Sequence, residues 1–445
     1  MKFYLIEQIS SKQYINRDQM GGLGINKMPD SSPILKLFSN IKENMIVVPL
    51  YSLAQVAGCL KQNGHQIIVL NGDRIPKNDA PDAFIIPSSM VSSNDECKLG
   101  TRLKLQYPNS KIIFFGPFAS SFSDKYLNHG DLVVQGEPDN FFLSLKYNDP
   151  IPIGTVKSPI PEDLDAIPFP AWEYFNIKQY RYEPVLSKRP MVTMLASRSC
   201  PYSCKYCPYP VVFGPYRKRS IPSMVDEIDR LVNSFGVRSI LFRDPLFFVK
   251  ENNIEEFIKA VQIRKLKFEW VCETRVEFFK KDILRGLSSI GLKGINCGIE
   301  SLVPEVLSSE RRKELPVEKY KIFAKMCRDL GIWVTGFYVF GFLKETQNTL
   351  VETIEFAKEI NFPVVQFTVN TPIPLADEFT EFESILTEAN WDKFSFYNLT
   401  FDHPHFSPNQ MRRFQKKALW DYYFRFNYWK QNRSYFKNKF LPHKF

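Results

Sequence analysis

Over the first 150 residues the apolar positions fall into short runs divided by helical patterns. Lys2 to Glu7 is an apolar-rich run of strand length, and Leu53 to Gln62 follows a helical period that stops at Asn63-Gly64, a C-cap signal. Gln66 to Leu70, Ala83 to Ile86, Lys111 to Phe115 and Leu132 to Val134 are further short apolar runs, with helical segments near Asp95 to Gln106 and Phe122 to Asn128 between the later ones. This alternation predicts a doubly wound, Rossmann-like α/β domain with a mostly parallel sheet over residues 1–148.

The pattern then breaks. Residues 149–190 hold Pro150, Pro152, Pro159, Pro161, Pro168, Pro170, Pro184 and Pro190, too many to sustain either period, and read as a linker packed over the surface. From Met191 a second alternation begins. Val192–Ala196, Ser239–Phe242, Phe268–Cys272, Gly294–Gly298, Trp333–Phe340 and Val364–Asn370 are strand candidates. Helical patterns lie between them, one with Ser223 as its expected N-cap and Gly236 as its close. Six βα units over 191–385 predict a partial (βα)6 barrel, short of the eight that closure needs. Residues 386–445 read as a helical, basic and aromatic C-terminal region.

Composition narrows the setting. The first ten residues carry Lys2 and Glu7 and no small-residue cleavage site, and the longest nearly uncharged apolar stretch, Gly331 to Leu343, is too short to span a bilayer. A cytoplasmic protein is the expectation. Eight cysteines in 445 residues do not make a disulfide scaffold, and only those at 200, 204 and 207 crowd together. The other five are expected to be buried small apolar residues.

The crowded three stand in Ser199-Cys200-Pro201-Tyr202-Ser203-Cys204-Lys205-Tyr206-Cys207-Pro208, a C-x3-C-x2-C spacing directly after the first strand of the second alternation. Three thiolates on one short loop can ligate three irons of a 4Fe-4S cube and leave the fourth iron open to something other than protein. A zinc knuckle would need a second ligand pair. None follows: the next cysteine is Cys272, and the five histidines, at 65, 129, 403, 405 and 443, are remote in sequence.

C-x3-C-x-Tyr-C at the end of the first strand of a βα series resembles the radical S-adenosylmethionine (SAM) superfamily, over about Met191 to Pro374. The resemblance implies a 4Fe-4S cluster on Cys200, Cys204 and Cys207, with SAM chelating the fourth iron. An electron, from a donor such as flavodoxin or ferredoxin, then cleaves SAM to methionine and a 5′-deoxyadenosyl radical. It implies Tyr206 against the adenine. At later strand ends it implies Asp244, Arg275 toward the SAM carboxylate, Glu300 toward ribose or the amino group, and Gly341 in the adenine-contacting segment Gly336 to Phe342.

The first 150 residues resemble the cobalamin-binding module often fused ahead of such barrels, on Val48-Pro49-Leu50-Tyr51, Asn63-Gly64-His65, Phe115-Gly116-Pro117 and Gln135-Gly136-Glu137-Pro138. The small residues Ser88, Ser89, Gly116 and Gly136, past strand ends, would let a corrin and its tail approach the sheet edge. The module's D-x-H-x-x-G cobalt-ligand motif is missing, and His65, at a helix end, is expected on the surface. Gly21-Gly22-Leu23-Gly24 could cover corrin or substrate; as a phosphate loop it lacks the Gly-Lys-Ser/Thr ending.

Charge is concentrated at the end of the chain: residues 411–445 hold ten of the 58 Lys/Arg but one of the 48 Asp/Glu, and aromatic residues interleave with them. A helical cap on the barrel with a solvated basic face, a membrane-surface segment recruiting a lipid substrate, and nucleic-acid binding all stand as readings, the last without any accompanying RNA-binding motif. Taken together, the two resemblances imply a C-methyltransferase acting on an unactivated carbon of a small-molecule or lipid substrate. Radical cyclisation, oxidation or rearrangement is the alternative, and a non-catalytic iron–sulfur redox or binding protein the third.

Overall fold

The computed structural model describes residues 1–9, 16–17, 24–25, 44–76 and 78–440. Residues 21–23 of the glycine loop and 441–445 lie outside them.

Two parallel sheets organise the chain. The first contains β1 (Lys2–Gln8), β2 (Gln66–Asn71), β3 (Ala83–Pro87), β4 (Lys111–Phe115), β5 (Leu132–Gln135) and β6 (Gly154–Lys157), in the order β2-β1-β3-β4-β5-β6. Phe3 and Leu5 face α1 (Tyr51–Gln62), while Tyr4 and Ile6 face the opposite layer with α2 (Ser93–Gln106). Both faces are covered, which is why these strands read as continuous apolar runs rather than alternating ones. The order reverses between β1 and β3, and in such sheets ligands bind outside the carboxyl ends of the strands at that switch.

β6 was not expected: it lies within the stretch read as a linker. Its exposure alternates on an edge, where four residues can pair between prolines without needing a donor from any of them. The rest of the stretch does more than cross the surface. Trp172 and Tyr180 are fully buried, and the chain crosses α1 at backbone contact, Ala171 N donating to Ala54 O at 2.9 Å. A Cβ on Gly58 would meet Phe169 O at 2.5 Å, so only glycine fits that crossing.

The second sheet is β7 (Met191–Met194), β8 (Ser239–Phe242), β9 (Glu269–Thr274), β10 (Leu292–Glu300), β11 (Trp333–Phe340) and β12 (Val364–Val369), parallel and in chain order. Its intervening helices include α3 (Ile221–Asp229), α4 (Glu251–Ile263), α5 (Lys281–Ser289), α6 (Val317–Asp329) and α7 (Gln347–Ile360). It is an open six-unit barrel with β7 and β12 as edges. The N-cap of α3 is Ser220 rather than Ser223: the Ser220 hydroxyl accepts from Ser223 N at 3.2 Å, and Pro222 sits in the first turn, where it has no bond to lose.

His65 also differs from expectation. The turn at Gly64 (φ +74°) folds its ring inward against Phe3, and Nε2 lies 2.9 Å from Leu145 O. It is buried at the amino end of β2. Cys59, Cys97, Cys272, Cys297 and Cys327 are all buried and free.

At the C-terminus α8 (Pro408–Tyr423) lies along β12 and α9 (Phe426–Phe440) crosses the amino ends of the last strands. A capping box joins Ser407 and Gln410 at the start of α8. Tyr422 Oη donates to Phe362 O, Tyr428 Oη to Pro363 O and Tyr435 Oη to Ile332 O, at 2.6–2.8 Å. These carbonyls precede β11 and β12.

Candidate functional site

Cys200, Cys204 and Cys207 follow the carboxyl end of β7 on a half-buried, non-helical loop and are free of disulfides. Among the described residues no three His, Cys, Asp or Glu side chains converge as around a single metal ion. Burial pushes the Cys207 thiol up to about 12 and raises Cys200 as well. Thiols in such surroundings become thiolates when a metal takes the proton's place.

Both arms of the loop are fixed. On the entering side Ser199 adopts φ +67°, its hydroxyl donating to Gly214 O at 2.7 Å. Asp244, named with the SAM-facing strand ends, is fully buried and accepts from Ala196 N at 2.9 Å and Ser197 Oγ at 2.6 Å, bracing the strand end from which the loop departs. Burial lifts its carboxyl to about 6 against those hydrogen bonds. At the middle of the loop Lys205 N donates to Glu310 O and Lys205 O accepts from Glu378 N.

Four buried charges lock the loop's base to the first sheet. Ser197–Arg198 pairs antiparallel with Arg217–Lys218, which sets the two arginines side by side. Arg198 forks onto Asp139 at 2.6 and 2.8 Å and also bonds Glu137, while Arg217 bonds Glu137 and donates to Pro161 O at 2.6 Å. Glu137 and Asp139 follow Gly136 (φ +81°) at the carboxyl end of β5. Two cations and two anions balance, so the group is buried without net charge.

Tyr206 stands in a second network. Its ring lies 5.5 Å from that of Phe342, and Arg312 Nη1 donates to its hydroxyl at 3.1 Å. Arg312 also donates to Gly298 O and pairs with Glu300 at 3.5 Å. Glu300 reaches it because the β10 register shifts between Gly298 and Glu300 and its own φ is +68°, a bulge that turns the side chain. Burial raises the Glu300 carboxyl against the pull of Arg312. Arg275 lies over the Tyr202 ring at 4.4 Å and pairs with Glu277 at 2.5 Å. Gly341 (φ +87°) donates its N–H to Glu345, a fully buried acid raised to about 8 by burial. Thus Tyr206 and Glu300 meet through Arg312, Arg275 and Gly341 stand on other parts of the rim, and Asp244 lies beneath. Arg312 itself was not foreseen: in sequence it belongs to Arg311-Arg312-Lys313, an ordinary solvated charge run.

The inner face of the barrel is open. Tyr338, Phe340 and Phe367 pack outward with Tyr422, which leaves the half-buried Phe337, Val339, Gln366 and Thr368 facing in. Arg243 and Glu273 pair there, and Tyr182 meets Asn296 at 3.2–3.4 Å.

Between this end of the barrel and the carboxyl edge of the first sheet is a narrow cavity of about 20 Å³, lined among others by Ser52, Gly116, Gly136, Leu195, Arg198 and Phe213. Gly116 has φ +113°, and a Cβ there would meet Ser88 Oγ at 2.8 Å; that hydroxyl already accepts from Ala119 N at 2.9 Å. Ser52 Oγ and Ser89 Oγ are buried without hydrogen-bond partners. No histidine lines the cavity. Gly116 and Gly136 bring bare backbone to this seam, and its lining holds no histidine that could meet a cobalt; the gap itself is smaller than a corrin ring.

Residues 194–357 match the radical SAM superfamily model. An uncharacterised methyltransferase of Pyrococcus horikoshii is 23% identical over 413 residues, covering 85% of this chain and 88% of that protein. An anaerobic magnesium-protoporphyrin IX monomethyl ester cyclase of Cereibacter sphaeroides is 29% identical over 66% of this chain and 50% of its own length. Among solved structures, the radical SAM methyltransferase TsrM of Kitasatospora setae, with cobalamin and a 4Fe-4S cluster bound, superposes with a TM-score of 0.62 at 14% identity, over 86% of this chain and 78% of that one.

Proposed function

We infer, from the premise that the chain carries a radical SAM domain and belongs to that superfamily, that it is a cobalamin-dependent C-methyltransferase acting on an unactivated carbon of a small molecule. The observation that carries the reading is the position of Cys200, Cys204 and Cys207: at the carboxyl end of β7, bolted through Arg198 to the carboxyl edge of the first sheet. The bound groups supply the hard chemistry, SAM on the cluster giving a hydrogen-abstracting radical and methylcobalamin the methyl group. The chain's own task is alignment. Tyr206, Arg312 and Glu300 shape one wall of the SAM site and Arg275 another. Gly341 provides close backbone approach, and Asp244 and the Arg198 quartet hold the cysteine loop beneath. Phe337, Val339, Gln366 and Thr368 line the space in which substrate would lie between cluster and corrin. Ser88, Gly116 and Gly136 let the corrin and its tail reach the sheet edge.

Residues 1–148, 149–190, 191–385 and 386–445 are proposed as the functional divisions, with β6 of the second docked on the first. A one-electron donor such as flavodoxin or ferredoxin serves the half-exposed cysteine loop, and the C-terminal region touches a membrane surface. Radical cyclisation is the second reading, favoured by the cyclase relative. The test is anaerobic reconstitution with iron and sulfide, then reduction with SAM. 5′-Deoxyadenosine is expected from the wild type and none from Cys204→Ser. Retention of a corrin absorption band, with S-adenosylhomocysteine in turnover, supports methylation. Deoxyadenosine without corrin would leave cyclisation or another corrin-free radical reaction in its place.

A further inference from the structure

The two C-terminal helices divide their aromatic residues sharply. Tyr422, Tyr428 and Tyr435 are buried on the barrel, whereas Trp420, Phe424, Phe426 and Trp429 are 55%, 58%, 79% and 53% exposed. Trp420 and Phe424 stack on each other, ring centroids 3.9 Å apart and 17° from parallel, at i and i+4 on the outer side of the helix end. Lys416, Lys417, Lys430 and Arg433 are exposed on the same two helices. The single acid of residues 411–445, Asp421, is paired with Lys417. The two helices therefore expose large apolar rings together with cationic side chains.

The place of these rings in the fold is defined by the carbonyls their buried neighbours bind. Phe362, Pro363 and Ile332 lie at the amino ends of β12 and β11, and the cysteine loop lies at the carboxyl end of β7 in the same parallel sheet. Strands of six and eight residues, at about 3.3 Å per residue, put these two ends roughly 20 Å or more apart.

We propose that this patch docks the protein on an anionic lipid bilayer, with the barrel mouth turned away from the membrane. Indole and phenyl rings flanked by lysine and arginine match the headgroup layer, where rings sit at the boundary and cations meet lipid phosphate. A second copy of the chain fits worse, because two like-charged tails would face each other. No described helix is long and apolar enough to cross a bilayer, so the contact is with the surface. The orientation also alters the expectation of a tail that recruits lipid substrate: a substrate enters at the far end, from the aqueous side. The inference is independent of the radical chemistry.

Sedimentation of the full-length chain with vesicles tests it. Pelleting is expected with phosphatidylcholine vesicles containing phosphatidylglycerol, falling as salt rises, and not with phosphatidylcholine alone. Trp420→Ser with Trp429→Ser, and separately Lys430→Gln with Arg433→Gln, should each weaken binding by about tenfold or more. All four positions are exposed, so thermal unfolding should be unchanged. Brominated lipids should quench wild-type tryptophan emission and leave the tryptophan double variant unquenched. A folded chain that stays in the supernatant with anionic vesicles would overturn the proposal. So would undiminished binding by both double variants, or a dimer that the tryptophan variants dissolve.

Discussion

Arg312 does the most with the least sequence signal. It holds Tyr206, Glu300 and the Gly298 carbonyl together, and it is buried among them. Removing it strands a buried carboxylate, so Arg312→Met should cost about 3 kcal/mol of stability. Arg312→Met with Glu300→Gln should recover most of that loss, because no unpaired charge remains; urea unfolding of the two variants measures the difference. Glu345 gives a pH prediction. Burial raises it from 4.5 to about 8, so between those values the folded chain keeps a proton that the unfolded chain has released. Stability therefore falls as pH rises through that window. Glu345→Gln should show a smaller fall in Tm between pH 5 and pH 8. Glu378, also raised to about 8, keeps part of the slope in the variant. Tyr206 and Glu300 could be singled out as candidates because they sit at fixed offsets from a cysteine motif and a strand end. Arg312 was not, because its partners are brought to it only by the fold.

Most elements of both sheets could be read from the chain because apolar runs with breakers between them leave few alternatives to parallel βα units. The departures are local. Ser220 rather than Ser223 caps α3 because its hydroxyl accepts from Ser223 N, and β6 forms between prolines because the neighbouring strand β5 supplies its ladder. The two-residue ribbon Ser197–Arg198 with Arg217–Lys218 is too short to carry any period, yet it anchors the cysteine loop. Arg198→Met should lower stability by about 3–5 kcal/mol, leaving Asp139 buried and unpaired. It should also lower the iron retained after reconstitution. Adding Asp139→Leu should restore much of the stability, since Arg217 and Glu137 still balance. Calorimetry and iron analysis separate the two effects.

At the scale of the molecule, the first sheet and the barrel present their carboxyl edges to one seam, and both proposed cofactor sites open on it. Hydroxocobalamin at one hundred times its Kd should raise the unfolding free energy by about 2.7 kcal/mol, read as a thermal shift; no shift would contradict the corrin part of the reading. The tail was legible as basic and aromatic, and three uses for it stood open. Only the fold sorted its rings, burying Tyr422, Tyr428 and Tyr435 and leaving Trp420 and Trp429 outside. By itself the sequence determined the three-cysteine spacing, the parallel βα plan and the absence of a cobalt-ligand motif, since each is a matter of spacing or local period. Tertiary structure alone decided that His65 turns inward, that Arg312 joins Tyr206 to Glu300 and that Arg198 ties the two halves together. These depend on contacts between residues far apart in the chain, where burial makes each charge require a partner that local sequence does not name.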